Sequence, residues 1–108
     1  MKEIRAFIQP HKLSQITMAL MELPNFPGMT VIDCEGFGRE HTEHTQDYRP
    51  FLPKKRIEIF APDNVVDIIF DTIMKIEHSG QHGDGKVYVL DVIKGGRVRT
   101  AEQSSDLG

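Results

Sequence analysis

The chain has 108 residues, of which 39% are hydrophobic and 27% are charged, a composition typical of a globular protein and not of a disordered one. Its length predicts one domain with a sizeable core. The net charge of −3 argues against nucleic-acid binding, and charges interrupt the apolar runs before they are long enough to span a bilayer.

The single cysteine, Cys34, cannot form an intrachain disulfide and lies in an apolar pattern near the core. The charged start of the chain lacks a signal-peptide core, so a cytoplasmic location is expected.

Hydrophobic periodicity predicts the main elements. Strands are indicated where apolar side chains alternate with polar ones or run together briefly, and helices where they recur at three- and four-residue spacing. Pro24 ends the first helix, and Pro62 with Asp63 begins the second. In chain order the predicted elements are a strand at residues 4–8, a helix at 12–23, strands at 29–34 and 54–60, a helix at 62–76, a strand at 87–92 and a short fifth strand at 97–100.

The order of these elements, βαββαβ, predicts an α+β fold of the ferredoxin-like type, in which two helices cover one face of an antiparallel sheet. Residues 1–108 are expected to form a single domain, with an exposed polar loop at 40–50 and a flexible tail at 101–108. Apolar residues on the other face of the sheet would need a cover, and self-association about a symmetry axis would provide one.

A glycine-rich turn lies between the second helix and the next strand. Residues 79–86 read SGQHGDGK, in which three glycines allow the backbone to approach an anion and Lys86 adds a positive charge. A plain helix-to-strand turn is the commoner interpretation of such a stretch. Arg97 and Arg99 strengthen the phosphate interpretation, because their alternation would direct both guanidinium groups to one side of a strand. Alone they would indicate a solvated edge strand; together the two clusters predict a polyphosphate site.

Six short motifs occur in order along almost the whole chain. They are GMTV at residues 28–31, GFGR at 36–39, FLPK at 51–54, RIEI at 56–59, GDGK at 83–86 and RVRT at 97–100. With these motifs the sequence resembles the PII family of nitrogen-regulatory signal-transduction proteins. The resemblance implies a homotrimer with ATP or ADP in the clefts between subunits. It also implies that the exposed loop, here residues 40–50, docks on a regulated transporter or enzyme.

The resemblance further implies which residues hold the nucleotide. The glycine turn would hold the phosphates from one subunit, the two arginines would reach them from a neighbour, the GFGR motif would contribute from the root of the loop, and three strand residues would surround the adenine. In chain order these are Thr30, Gly36, Gly38, Arg39, Glu58, Phe60, Gly83, Asp84, Gly85, Lys86, Arg97 and Arg99. No prosthetic group is expected beyond the nucleotide ligand and an accompanying Mg²⁺.

The loop departs from the family pattern in length. It is about five residues shorter than usual, and the apex that carries a modified tyrosine in many members is missing. Tyr48 and Arg49 resemble a Tyr-Arg pair of the family's loop and are predicted to contact the partner protein. Uridylylation of Tyr48 is not expected.

A second departure concerns the effector. Lys54 matches the lysine that pairs with 2-oxoglutarate in the family, and Glu40 stands where a Mg²⁺-coordinating glutamine is usual. A carboxylate ligates Mg²⁺ well but would repel a dianion. Gln9 stands where a lysine is frequent, which removes another cation. Effector binding is therefore assigned to Glu40 and Lys54, but 2-oxoglutarate is not the expected effector.

Two alternative functions stay open. His41 and His44 could ligate Zn, Cu or Ni, which would fit a metal-responsive relative serving a membrane metal-transport system, although a solvated polar loop is the plainer interpretation. A slow ATPase is the other alternative. No Ser/His/Asp or Cys/His constellation is found, so the protein is predicted not to be an enzyme.

Overall fold

A computed structural model describes residues 1–37 and 51–104 of the chain. These described residues form six strands, two α-helices and a short 3₁₀ turn. They are β1 Lys2–Ile8, the 3₁₀ turn Pro10–Lys12, α1 Leu13–Met21, β2 Thr30–Gly36, β3 Leu52–Ala61, α2 Asp63–Glu77, β4 Lys86–Asp91, β5 Gly95–Arg97 and β6 Glu102–Ser104.

The first four strands form one antiparallel sheet in the order β2-β3-β1-β4. Ile4 at the centre of β1 lies opposite Ile59 of β3 and Val89 of β4. With the two helices, this order confirms the predicted ferredoxin-like α+β fold. Strands β5 and β6 pair with each other in a separate two-stranded hairpin.

The core lies between the sheet and the two helices. The apolar residues that alternate along β1 and β3 lie on the helix side of the sheet and are fully buried: Ile4, Ala6, Ile8, Ile57, Ile59 and Ala61. Helix α1 contributes Ile16 and Leu20, and α2 contributes Ile69 and Ile73. Each such side chain stabilises the fold by roughly 1.5–3 kcal/mol through burial alone. No helix in the described parts of the chain is long and apolar enough to cross a membrane.

The first helix is shorter than its apolar pattern. It ends at Met21, although the pattern continues to Leu23, and the Leu23 amide closes a last turn onto the Leu20 carbonyl at 3.0 Å. Pro24 explains this end, because a proline disfavours helical geometry in the residue before it. Cys34 in β2 is half-buried, at the edge of the core.

The predicted fifth strand at residues 97–100 is wrong. The strand β5 ends at Arg97, and the next residues form a turn in which the Ala101 amide donates to the Val98 carbonyl. Ala101 then adopts a φ of 60° and the chain returns as β6. Arg97 and Arg99 consequently do not alternate along one strand, and residues 102–104 are paired where a tail was expected. Residues 105–108 lie outside the described part of the chain.

Candidate functional site

The glycine turn, residues 79–86, has backbone conformations that require glycine. Gly80 and Gly83 have φ values of 81° and 100°, in the left-handed region that other residues rarely adopt. Gly85 is needed for a different reason. A Cβ placed on it would lie 1.7 Å from the carbonyl oxygen of Phe7 in β1. The glycines predicted to admit an anion thus also let the turn pack directly against the central strand.

Asp84 organises the turn from within. Its carboxylate accepts hydrogen bonds from the Ser79 and Gly80 amides at 2.8 and 2.9 Å, and from the Ser79 hydroxyl. The Gln9 side chain donates to it at 3.2 Å. The hydrogen bonds from Ser79, above all, lower the pKa of Asp84 to about 2. Asp84 was predicted to contact nucleotide, and the structure shows its oxygens engaged by the turn itself.

Most of the turn's amides are already bonded. The Gly85 amide donates to Glu77 at 2.7 Å, and the Gln81 amide donates to the Ser79 hydroxyl at 3.3 Å. Among residues 79–85, the amides of His82 and Gly83 are the two without an acceptor in the described structure. These two amides are therefore the backbone donors that the turn can offer to a ligand. The exposed Lys86 comes three residues after Gly83.

Lys54 reaches the turn from β3. Its ammonium group donates to the Gly83 carbonyl at 2.8 Å. Gly36 leaves room for this side chain, since a Cβ there would lie 3.4 Å from Lys54 Cγ. The structure therefore brings together Gly36, Lys54 and Gly83, which are 18 to 47 positions apart in sequence. Beside them, an open groove of ≈ 420 Å³ is lined by Pro10, Asp33, Cys34, Glu35, Pro53, Lys54 and Lys55.

The residues predicted to surround adenine form a separate patch. Thr30 of β2 lies opposite Glu58 of β3, and Phe60 is two residues further along β3 with 46% of its surface exposed. At the rise of a β-strand, Phe60 is about 20 Å along β3 from Lys54. Within one chain, no hydrogen bond or ion pair of the described residues joins these three side chains to the glycine turn.

The predicted arginines lie on the β5–β6 hairpin. Arg97 faces Glu102 across the two strands, with 3.7 Å between the guanidinium and the carboxylate. Arg99 is exposed in the turn beyond it. No hydrogen bond or ion pair of the described residues joins either arginine to the glycine turn. A single subunit does not bring the two cationic clusters together.

The sheet face away from the helices carries a polar and aromatic network, here called the open face. Its residues are Glu3, Arg5, Phe7, Arg56, Glu58, Phe60 and Tyr88. Arg5 donates two hydrogen bonds to Glu3, of 2.8 and 2.9 Å, and Arg56 forms an ion pair with Glu58. Arg56 also lies 6.0 Å above the Phe7 ring, which meets Tyr88 edge-on. The Nε of Arg56 is buried without an acceptor in the described structure, an uncommon state for a cation.

Glu77 was not among the residues predicted from the sequence. It is the last residue of α2 and only 3% exposed, and its carboxylate bonds to both the glycine turn and Gln9. A signal was available, because Glu77 continues the buried stripe of Ile69 and Ile73 at four-residue spacing. A charged residue on that stripe has to find polar partners inside the protein.

Several predicted residues lie outside the described part of the chain. They are Gly38, Arg39, Glu40, His41, His44, Tyr48 and Arg49. Within residues 1–37 and 51–104, no group of three or more His, Cys, Asp or Glu side chains is arranged to hold a metal ion.

Comparison with known proteins gives a consistent result over the whole chain. The family described as Nitrogen regulatory protein P-II matches residues 1–102. Nitrogen regulatory protein P-II 1 of Escherichia coli (strain K12) is 45% identical over 109 residues, with 95% of this chain and 96% of the relative covered. The Klebsiella oxytoca protein P-II is 44% identical with the same coverage. That of Haemophilus influenzae is 38% identical over 98% of both chains.

Proposed function

Because the chain belongs to the nitrogen regulatory protein P-II family of signal-transduction proteins, we propose that it binds ATP or ADP and regulates a partner protein. The observation that carries this proposal is the glycine turn. Hydrogen bonds to Glu77 and Lys54 hold it, the His82 and Gly83 amides have no acceptor among the described residues, and the exposed Lys86 comes three residues after Gly83. Preorganised amides with a neighbouring cation are the donors that phosphate groups require.

The second half of the proposed site comes from another subunit. A polyphosphate needs more positive charge than one lysine, and Arg97 and Arg99 supply it from an exposed hairpin that does not touch its own turn. The adenine patch of Thr30, Glu58 and Phe60 supports the same arrangement, because Phe60 lies about 20 Å along β3 from Lys54, the β3 residue that bonds to the turn. We therefore place the nucleotide in a cleft between subunits of a homotrimer.

The open face supports self-association independently. It exposes Phe60 and Tyr88 to 46% and 48% while burying an unsatisfied Arg56 Nε. A neighbouring subunit with closed symmetry would cover the exposed rings.

Regulation would pass through the loop of residues 40–50. Lys54 and Gly36 lie at the two strand ends from which this loop departs, and Lys54 is bonded to the glycine turn. Nucleotide occupancy can bias loop conformations if ATP and ADP bind those conformations with different affinity. Tyr48 and Arg49 would then contact the regulated transporter or enzyme, while Glu40 and Lys54 would receive a co-effector.

Calorimetry with ATP and ADP on the purified protein tests the nucleotide site. Lys86→Ala and Arg97→Ala should each weaken ATP binding about tenfold or more, since each removes charge-assisted hydrogen bonds. Lys75→Ala, an equal loss of charge on the exposed end of α2, is the control and should bind as the wild type does.

Two further measurements complete the test. Light scattering should give three times the monomer mass, and Arg49→Ala should leave ATP affinity unchanged while weakening partner binding. A monomeric wild-type protein, or one that binds neither ATP nor ADP, would refute the proposal.

A further inference from the structure

A buried carboxylate lies directly behind the glycine turn. Glu77 is 3% exposed, and none of the described lysines, arginines or histidines forms an ion pair with it. Burying an unpaired charge is unfavourable unless several hydrogen bonds stabilise it. The partners of Glu77 therefore indicate why a carboxylate occupies this position.

Those partners are N–H groups from two distant segments. The Gly85 amide donates to Oε2 at 2.7 Å. The Gln9 amide lies 3.3 and 3.4 Å from the two oxygens, and the Gln9 side-chain amide donates to Oε2 at 3.2 Å. The same Gln9 group also reaches Asp84 at 3.2 Å. One carboxylate thus ties the end of α2 to the exit of β1 and to the glycine turn.

Gly85 is fixed on two sides by this arrangement. A Cβ on Gly85 would lie 1.7 Å from the Phe7 carbonyl oxygen and 3.1 Å from Glu77 Oε2. The two free amides, of His82 and Gly83, come three and two positions before Gly85, and Lys86 comes directly after it. The position of the Gly85 backbone accordingly decides where the phosphate donors point.

We propose that Glu77, assisted by Gln9, is a positioning residue that sets the geometry of the turn for polyphosphate binding. This inference rests on the proposed nucleotide function and names a residue that does not itself touch the ligand. A glutamine cannot replace the carboxylate fully, because its NH₂ group would face the Gln9 backbone amide, whose hydrogen bond the second oxygen, Oε1, now accepts at 3.4 Å.

The direction in which Glu77→Gln changes ATP affinity distinguishes a positioning role from a purely electrostatic one. Glu77→Gln removes a negative charge close to a polyanion site, so charge repulsion alone predicts tighter ATP binding. Loss of positioning predicts the opposite, weakening by about tenfold, the usual consequence of disrupting hydrogen bonds to a charged group. The preference for ATP over AMP should fall in parallel, because the lost geometry concerns the outer phosphates.

The experiment is calorimetric titration of full-length wild type, Glu77→Gln and Gln9→Ala with ATP, ADP and AMP, well below the lowest Tm. Glu22→Gln, which removes an exposed carboxylate at the end of α1, is the matched control. Gln9→Ala keeps the Glu77 charge and removes one side-chain donor to it, so ATP binding should weaken about threefold. This variant also tests the proposal if Glu77→Gln does not fold.

Hydrogen exchange gives a second measurement without nucleotide. The Gly85 amide should exchange slowly in wild type and Glu22→Gln and faster in Glu77→Gln. Wild-type affinity for ATP in the folded Glu77 and Gln9 variants, or tighter binding in Glu77→Gln, overturns the positioning role while leaving nucleotide binding intact. Absence of ATP and ADP binding by the wild type overturns the proposed function and this inference with it.

Discussion

The glycine turn and the β5–β6 hairpin carry the two cationic clusters, and they are built in opposite ways. Gln9, Lys54 and Glu77 reach the turn from three other segments and bond to it. The hairpin is held by its own strand pairing and an ion pair from Arg97 to Glu102, while Val98 at its tip is 97% exposed. One half of the proposed site is thus formed within the subunit, and the other half projects away from it.

This difference suggests a division of roles. A rigid turn holds its amides in place before the ligand arrives and so lowers the entropic cost of binding. An exposed arm with apolar and cationic side chains gains its contacts only from another molecule. Substitutions in the turn should therefore damage the monomer fold, whereas substitutions in the hairpin should spare the fold and affect assembly or ligand binding.

The largest expected contrast is in stability, between Gly85→Ala in the turn and Gly96→Ala in the hairpin. Gly85→Ala should destabilise the protein by about 3 kcal/mol or more, because the new Cβ would overlap the Phe7 carbonyl and the backbone would have to move. In the hairpin, the nearest atom to a Cβ on Gly96 is 3.6 Å away, an ordinary contact. Gly96→Ala should change the free energy of unfolding by less than about 1 kcal/mol. Urea denaturation measures both, and equal losses would contradict the comparison.

Substitution of Asp84 should have an intermediate effect on stability, and that effect should depend on pH. Its pKa falls from the ordinary 3.8 to about 2 in the folded protein, so its stabilising contribution is present above the ordinary pKa. That contribution is lost as the pH falls from about 4 toward about 2. Asp84→Asn should therefore be less stable than wild type at pH about 6, with the difference shrinking below pH about 4.

Denaturant titrations across this pH range test the Asp84 prediction. Asp71→Asn, which removes an exposed carboxylate from α2, is the matched control for the loss of charge. A stability difference between wild type and Asp84→Asn that stays constant from pH about 6 to about 3 would show that the hydrogen bonds from Ser79 and Gly80 do not favour the ionised form.

The smallest expected effect lies at the tip of the hairpin. Val98→Ser replaces a side chain that is almost fully exposed, so the Tm of an isolated subunit should change little. If the hairpin packs on a neighbour, the same substitution should raise the concentration at which the trimer dissociates. Light scattering on serial dilution measures this, with Thr100→Ser as a control that also lies in the hairpin turn. Identical dissociation curves for all three proteins would leave the hairpin without a role in assembly.

Local sequence pattern was enough to predict the fold and the position of the glycine turn. The alternation in β1 and β3 and the helical spacing in α2 depend on neighbours within a few residues, and so do the glycine conformations at Gly80 and Gly83. Those short-range constraints were satisfied in the folded protein as predicted, except where Pro24 shortened α1 and the chain turned after Arg97.

Only the tertiary structure revealed what holds the turn. The Glu77 carboxylate meets Gln9 across 68 positions of sequence, and Lys54 meets Gly83 across 29. Such pairs depend on the way in which helices and strands dock, and no periodicity within one element encodes that. The sequence by itself determined where the glycine turn would lie; docking of β1, β3 and α2 decided how its Gly83 carbonyl and Gly85 amide are bonded.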